Sequence, residues 1–135
     1  MANALFPKAK AAMLRGELNF VTADIRALLI DSSDYTYDDT DEFLTDIAAG
    51  AQVKQSNTLA AKAVDAATAR FSSDPAVFPA VTGDTVEALM LYLHTGVSAT
   101  ARVIAYFDTG ITGQPLTPDS SDVRVSLDDD YWFQL

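Results

Sequence analysis

The chain has 135 residues, carries 9 Lys and Arg against 19 Asp and Glu for a formal charge of -10, and contains no cysteine. This length suits one domain with a single core, and the lack of cysteine excludes disulfides, thiolate metal sites and a cysteine nucleophile. The acidic excess argues against nucleic acid as a partner, because affinity for phosphate backbones comes largely from Lys and Arg.

The first 20 residues differ from the rest of the chain in charge. They hold a net charge of +2, whereas residues 21–135 hold -12. Asn3 can cap a helix, Pro7 is tolerated in a first turn, and Gly16 suits a left-handed stop. The sequence therefore predicts a short helix that ends near Arg15 and packs on its own domain or on a partner.

From residue 24 onward, short segments alternate with turn residues at regular spacing, which is typical of an all-β sandwich or barrel. The predicted strands are 25–30, 52–58, 61–70, 76–81, 86–94, 101–108, 123–127 and 131–133. Segments 52–58 and 61–70 are also compatible with helix. Segment 86–94 is apolar on both faces, which predicts a central strand that forms a hairpin with 101–108.

The first two predicted strands are separated by a polar aromatic loop. Near its end, Thr40 followed by Asp41 and Glu42 can cap a short helix that stops at Gly50. The predicted fold class is therefore mainly β: an antiparallel β-sandwich of jelly-roll or Ig-like type, with a short N-terminal helix and one short helix in a loop.

We expect one domain over residues 1–135, with an N-terminal helical arm at 1–20 and a β-sandwich body at 21–135. The apolar runs are five or six residues long, far short of the about 20 that span a bilayer. Three basic residues interrupt the stretch that a secretory signal would occupy. We therefore expect synthesis in a cytoplasm and no membrane partner.

The sequence contains no convincing catalytic group. His94 is the single histidine, but it precedes a Thr-Gly turn without a G-x-S-x-G motif, so we interpret it as a turn or core-edge residue. Asp84 and Glu87 both carry carboxylates, as the catalytic pair of a glycosidase does. However, Asp84 is typical of a turn, and Glu87 is expected to form an ion pair with Arg102 or Arg124. We predict no enzyme, no catalytic residue and no cofactor.

Acidic residues crowd the segment 31–46, where carboxylates are dense enough to suggest calcium. They are Asp31, Asp34, Asp38, Asp39, Asp41, Glu42 and Asp46. The spacing lacks the D-x-D-x-D-G core of an EF-hand loop. A solvated acidic loop is the favoured interpretation, here and at 128–130, and no metal ligand is assigned, although calcium at 31–46 stays open.

Aromatic residues fall at two places, and each place allows two interpretations. Tyr35 and Tyr37 lie in the acidic loop, while Tyr131, Trp132 and Phe133 lie near the C-terminus. Such rings can stack on carbohydrate, but strand aromatics more often belong to a core or an interface. We therefore predict a subunit interface at Tyr35, Tyr37, Tyr131 and Trp132.

Several segments along nearly the whole chain resemble small virion proteins of tailed bacteriophages. They are Asn3-Ala-Leu-Phe-Pro-Lys8, Leu14-Arg-Gly-Glu-Leu-Asn-Phe20, Ile25-Arg-Ala-Leu-Leu-Ile-Asp31, Glu42-Phe-Leu-Thr-Asp-Ile47, Val81-Thr-Gly-Asp-Thr-Val-Glu-Ala-Leu89 and Arg102-Val-Ile-Ala-Tyr-Phe-Asp108. Proteins of this kind look like head-associated structural components, and several decorate or cement the capsid lattice as trimers.

The resemblance implies a capsid decoration protein, made in the host cytoplasm and located on the capsid surface of the virion. Its expected partners are the major capsid protein and further copies of itself, with a trimer favoured. The capsid contacts are expected at Phe6, Lys8, Lys10, Met13 and Arg15. Two alternatives stay open: a tail, neck or fibre-associated subunit, and a carbohydrate- or calcium-binding attachment module that uses the Tyr35 and Tyr37 loop.

Overall fold

A computed structural model describes residues 3–111, 115–127 and 130–135. The described residues form one α-helix, α1 (Pro7–Leu14), and ten strands. The strands are β1 (Ala4–Leu5), β2 (Ile25–Ile30), β3 (Gln52–Gln55), β4 (Ala63–Asp65), β5 (Arg70–Ser72), β6 (Ala76–Phe78), β7 (Ala88–Leu93), β8 (Val103–Phe107), β9 (Val123–Val125) and β10 (Phe133–Gln134). All strand pairs are antiparallel, so the predicted mainly-β class is confirmed.

The largest sheet has five strands in the order β1-β8-β7-β2-β3. Strand β7 lies at its centre, as predicted, and forms the predicted hairpin with β8. Leu91 of β7 lies between Ala27 of β2 and Ala105 of β8, and its side chain is fully buried. Five of the six residues of β7 are buried, because both faces of the sheet are covered.

Two smaller sheets, β10-β5-β4 and β6-β9, complete the fold. One hydrophobic cluster includes residues from all three sheets. Phe71 and Phe133 belong to this cluster, and Phe20 packs against them to form an aromatic group with ring centroids 5.0 to 5.5 Å apart. The Trp132 ring lies 6.0 Å from that of Phe107 and so connects the C-terminal segment to β8.

The two faces of β8 have different covers. Consecutive strand residues point to opposite faces, and Tyr106 contacts Tyr35 and Tyr37 while Phe107 contacts Trp132. The loop after β2 therefore covers one face of the five-stranded sheet, and the segment before β10 covers the other.

The N-terminal segment is built into the sheet and does not extend from it as an arm. Residues 4–5 pair with β8, and the Asn3 side chain binds the backbone at Asp108 and Thr109 instead of capping a helix. The helix starts after Phe6 without a side-chain cap. Gly16 follows it with φ +73°, which confirms the left-handed stop.

The predicted strand 61–70 is wrong, and so is its helical alternative. A turn at 66–69 divides the segment into β4 and β5, which form a hairpin. Phe71 and Ser72, which lie beyond the end of the predicted strand, belong to β5. Six further corrections concern strand ends. The predicted strands 52–58, 76–81, 86–94, 101–108, 123–127 and 131–133 are replaced by the shorter β3, β6, β7, β8, β9 and β10.

The predicted helix after Thr40 is replaced by two 3₁₀ turns, Leu44–Asp46 and Ala49–Ala51. The Thr40 hydroxyl donates to the Asp38 carboxylate and does not cap. Asp46 instead accepts the backbone N–H groups of the two residues before the first turn, at 2.8 and 3.1 Å. Among the described residues, no helix has the length and apolar character needed to span a membrane.

Candidate functional site

Strands β1 and β10 each pair on only one side within the part of the chain that the structure describes. Between these two strand edges lies a cavity of about 450 Å³, which we call the edge groove. Its lining is Asn3, Ala4, Leu5, Lys10, Ala105, Phe107, Leu127, Tyr131, Trp132, Phe133 and Gln134. The surface of the groove is therefore about equally polar and apolar, and both edge strands contribute residues to it.

Three residues predicted for partner contacts meet in the edge groove. Lys10 is exposed, and within the described residues it has no ion-pair partner. Tyr131 is half-buried, with the Arg70 guanidinium 4.4 Å from its ring centroid. Trp132 is buried, and its indole N–H donates to the Ser73 hydroxyl at 2.7 Å. Lys10 and Tyr131 are accessible to a partner, whereas Trp132 supports the wall.

The other predicted capsid contacts lie elsewhere on the N-terminal segment. Phe6 is fully buried against the Tyr37 ring, so it is a core residue that a partner cannot reach. Met13 is half-buried against the core. Lys8 and Arg15 are exposed, but each is paired locally, Lys8 with Glu42 at 3.5 Å and Arg15 with Glu17 at 2.9 Å.

A second cavity, of about 360 Å³, lies on the opposite face of β8, and we call it the tyrosine pocket. Its lining is Ser32, Tyr35, Thr36, Tyr37, Glu87, Tyr106 and Asp108. The Tyr106 ring is central, with the Tyr35 and Tyr37 rings 5.6 and 5.8 Å away. The predicted interface residues are thus divided between two cavities on different faces of the sheet.

The three tyrosines of this pocket are held in an apolar and acidic environment. The Tyr35 hydroxyl donates to the Asp41 carboxylate at 2.7 Å, and burial, reinforced by Asp41, raises the pKa of Tyr35 far above its usual range. Burial also raises the pKa of Tyr37. The pKa of Tyr106 is raised by burial and then by the carboxylates of Asp108 and Glu87. All three hydroxyls are therefore protonated at neutral pH.

Glu87 forms a different contact from the ion pair predicted for it. One carboxylate oxygen accepts the backbone N–H and the hydroxyl of Ser32, at 3.0 and 3.3 Å. Arg102 instead lies 3.8 Å from Glu17 and 3.5 Å from Glu42. The prediction failed because the strand pattern assigns Glu87 to a face but does not show that the chain after β2 folds back over it.

The predicted acidic cluster at 31–46 is divided among separate structural roles, such as the contacts of Asp41 and Asp46. Among the described residues, Asp31 and Asp34 come together with Asp84, and carboxylate oxygens of all three lie within 4.8 Å of one another. Oxygens at this spacing can hold a hard cation such as Ca²⁺. Asp31 already accepts two hydrogen bonds from Ser33. Residues 128 and 129 lie outside the described residues.

His94 is half-buried beside the Tyr92 ring, with ring centroids 6.1 Å apart. Both residues line a cavity of about 90 Å³, together with Gln55 and Ser98. The buried Tyr92 hydroxyl has no hydrogen-bond partner among the described residues, and burial raises the pKa of Tyr92 to about 12. This agrees with the core-edge position that was predicted for His94.

Sequence reasoning missed Tyr106, Glu87 and Asn3 as parts of these sites. For Tyr106 a signal was present, since its neighbour Phe107 must point to the opposite face.

No known protein family has a model that matches this chain. The curated proteins contain no significant match either.

Proposed function

We propose that this protein is a non-enzymatic structural protein of a tailed-bacteriophage virion, a decoration or cement protein that binds the major capsid protein and stabilises the head shell as a homotrimer. The sequence resemblance supports the phage assignment. The edge groove is the observation that carries the binding role, because it brings Lys10, Tyr131 and Trp132 together beside β1 and β10, each of which pairs on one side only among the described residues.

The backbone edges of β1 and β10 favour an extended segment as the bound element. An unpaired edge presents alternating N–H and C=O groups, and an extended chain that joins it gains main-chain hydrogen bonds. The apolar walls formed by Leu5, Phe107 and Leu127 provide places for alternate side chains of that segment. We propose that an extended segment of the major capsid protein occupies the groove.

Charge further restricts the bound segment. Lys10 lines the groove and lacks an ion-pair partner among the described residues, whereas Lys8 and Arg15 are already paired. An acidic residue in the capsid segment would complete an ion pair with Lys10. Such a contact at the edge of an interface contributes mainly to specificity and to the association rate.

The groove is too small to support stable binding alone, since specific interfaces bury at least about 1,000 Å². The exposed side of α1 lies beside the groove and would enlarge the contact. Binding sites that exist only on the assembled lattice would stabilise that lattice by mass action. The acidic remainder of the surface would then face solvent.

Co-sedimentation with shells assembled from the major capsid protein of the same phage tests this proposal. We expect the wild-type protein to bind, and Lys10→Glu to weaken binding at least about tenfold, which is about 1.4 kcal/mol. Lys54→Glu is the matched control, because Lys54 lies on β3 at the opposite edge of the same sheet. Equal binding by the two variants, or no binding by the wild type, would contradict the proposal.

Native mass measurement separates the head assignment from the tail and neck alternative. A decoration protein is expected as a trimer, whereas tube, neck or collar subunits form rings of six or twelve. A trimer is also compatible with a fibre, so the shell-binding experiment decides between those two. The attachment-module alternative predicts heat on titration with calcium or glycans, and the aspartate group at 31, 34 and 84 is where calcium would bind.

A further inference from the structure

The tyrosine pocket combines aromatic rings with carboxylates in a way that the capsid role does not use. Tyr35, Tyr37 and Tyr106 form one aromatic group, and Glu87 and Asp108 line the same cavity. The aromatic faces carry partial negative charge, and a cation within about 6 Å of a ring centroid is attracted to it. A carboxylate beside such rings adds a full negative charge.

Glu87 has bonding capacity left for a ligand. Both contacts from Ser32 reach the same oxygen, Oε2, and among the described residues Oε1 accepts no hydrogen bond. Glu87 also has no ion-pair partner within 4.0 Å in the described part of the chain. A carboxylate that is half-buried and lacks a cation gains from binding one.

The burial of the rings distinguishes a cation from a sugar as the ligand. Tyr35 is 8% and Tyr106 is 4% exposed, so neither presents the broad open face on which a pyranose ring would stack. A cationic group needs only part of a ring face, such as that of the half-buried Tyr37, and a nearby carboxylate. The exposed Thr36 leaves the cavity open to a ligand of that size.

We infer that the tyrosine pocket binds an organic cation, a guanidinium or ammonium group, between the tyrosine rings and the Glu87 carboxylate. This inference does not depend on the capsid role. The group can belong to the Arg or Lys side chain of a protein partner or to a small quaternary ammonium compound. The two sources share one chemistry and are separated by the probes used.

The test is an NMR titration of the full chain, in which the amide signals of Ser32, Thr36 and Glu87 report on the pocket. We expect N-acetyl-arginine amide to shift these signals saturably, with a dissociation constant on the order of 1 mM. N-acetyl-citrulline amide, which has the same shape without the charge, should not shift them. Equal shifts with both probes, or none with either, would overturn the inference.

Two pairs of variants separate the charge from the rings. Glu87→Gln retains an acceptor for Ser32 and should weaken arginine binding about three- to fivefold. Asp74→Asn removes an equal charge from an exposed position outside the cavity lining and should leave affinity within about twofold. Tyr37→Leu should abolish binding, whereas Tyr37→Phe, which retains the ring face, should preserve it.

The comparison with choline, the control variant and a glycan titration give further outcomes that assign the ligand or overturn the inference. Tighter binding of the arginine probe than of choline assigns the site to a protein side chain, and the reverse assigns it to a small quaternary ammonium compound. An Asp74→Asn effect as large as that of Glu87→Gln would mean attraction by net charge alone and would overturn the site. Saturable shifts with glycans and none with the cations would also overturn it in favour of a sugar site.

Discussion

The central strands of this protein differ from the β4-β5 hairpin in the fraction of their residues that is buried. Five of the six residues of β2 are buried, as are five of the six in β7 and all five of β8. All three residues of β4 are exposed, and β5 buries only Phe71. We therefore expect the central strands to contribute more to stability than the β4-β5 hairpin, whose sheet covers an aromatic group and forms one wall of the edge groove.

The largest expected effect is a loss of stability on truncation in the central strand. Leu91→Ala should lower the free energy of unfolding by about 2–5 kcal/mol. The substitution removes a buried side chain, and the alanines beside it on the two neighbouring strands cannot fill the space. Val64→Ala in β4, where the side chain is 50% exposed, should change it by less than about 0.5 kcal/mol. Urea denaturation measures both. Similar losses would mean that the small sheets contribute as much as the centre.

An intermediate effect is expected at β1, the two-residue edge of the five-stranded sheet. Asn3→Ala removes side-chain hydrogen bonds to the backbone of residues 108 and 109 and should lower stability by about 1–2 kcal/mol. The Phe6 amide, which donates to Ile104 O at 3.0 Å, should then exchange hydrogen faster. Asn19→Ala is the control, because Asn19 binds only the backbone of its own turn. Unchanged exchange at Phe6 would show that β1 is held by other contacts.

The smallest effect concerns two carboxylates in the loop that covers the tyrosine face. Burial raises the pKa of Asp41, whereas backbone N–H groups lower that of Asp46. The Asp41 contribution to stability is therefore present below its unfolded pKa of about 3.9 and is lost as the pH rises. The Asp46 contribution is present above that value and is lost as the pH falls.

Substitution of each carboxylate should consequently give pH dependences of opposite sign. As the pH is raised from 3 to 7, the free energy of unfolding of Asp41→Asn should increase relative to that of the wild type, and that of Asp46→Asn should decrease. Both changes should stay below about 1 kcal/mol, since solvent screens these groups. Thermal unfolding across this pH range measures the two slopes, and slopes of the same sign would contradict the assignment of causes.

The central strands were predictable from the sequence, and the hairpin between β4 and β5 was not. Segments such as 88–93 are buried on both faces and are therefore apolar on both faces. Their composition alone thus predicts a central position in the sheet. The hairpin turn ends at Ala69, which has φ +56°. Glycine or asparagine normally marks this left-handed conformation. With alanine there, the segment has no local signal for a turn.

The sequence allowed the residue types of the candidate sites to be predicted, but it did not show which of these residues lie together in the fold. Lys10, Tyr131 and Tyr37 were selected because basic and aromatic side chains suit interfaces. Their grouping depends on contacts between distant segments, such as the pairing of β1 with β8. Glu87 and Tyr106 were missed because the loop that completes their pocket has no regular pattern.

The pairing of β1 with β8 also has a consequence for how the chain folds. Ala4 lies opposite Tyr106, so about a hundred residues must be synthesised before the first strand has its neighbour. Non-local pairing of this kind slows folding, because a long loop must close before any contact stabilises it. Until then Phe6 and Ala9, which are fully buried at the end, stay in contact with water. The segment from Ala4 to Ala9 therefore stays without its final neighbours until β8 has been synthesised, and chaperones at the ribosome can bind it during that time.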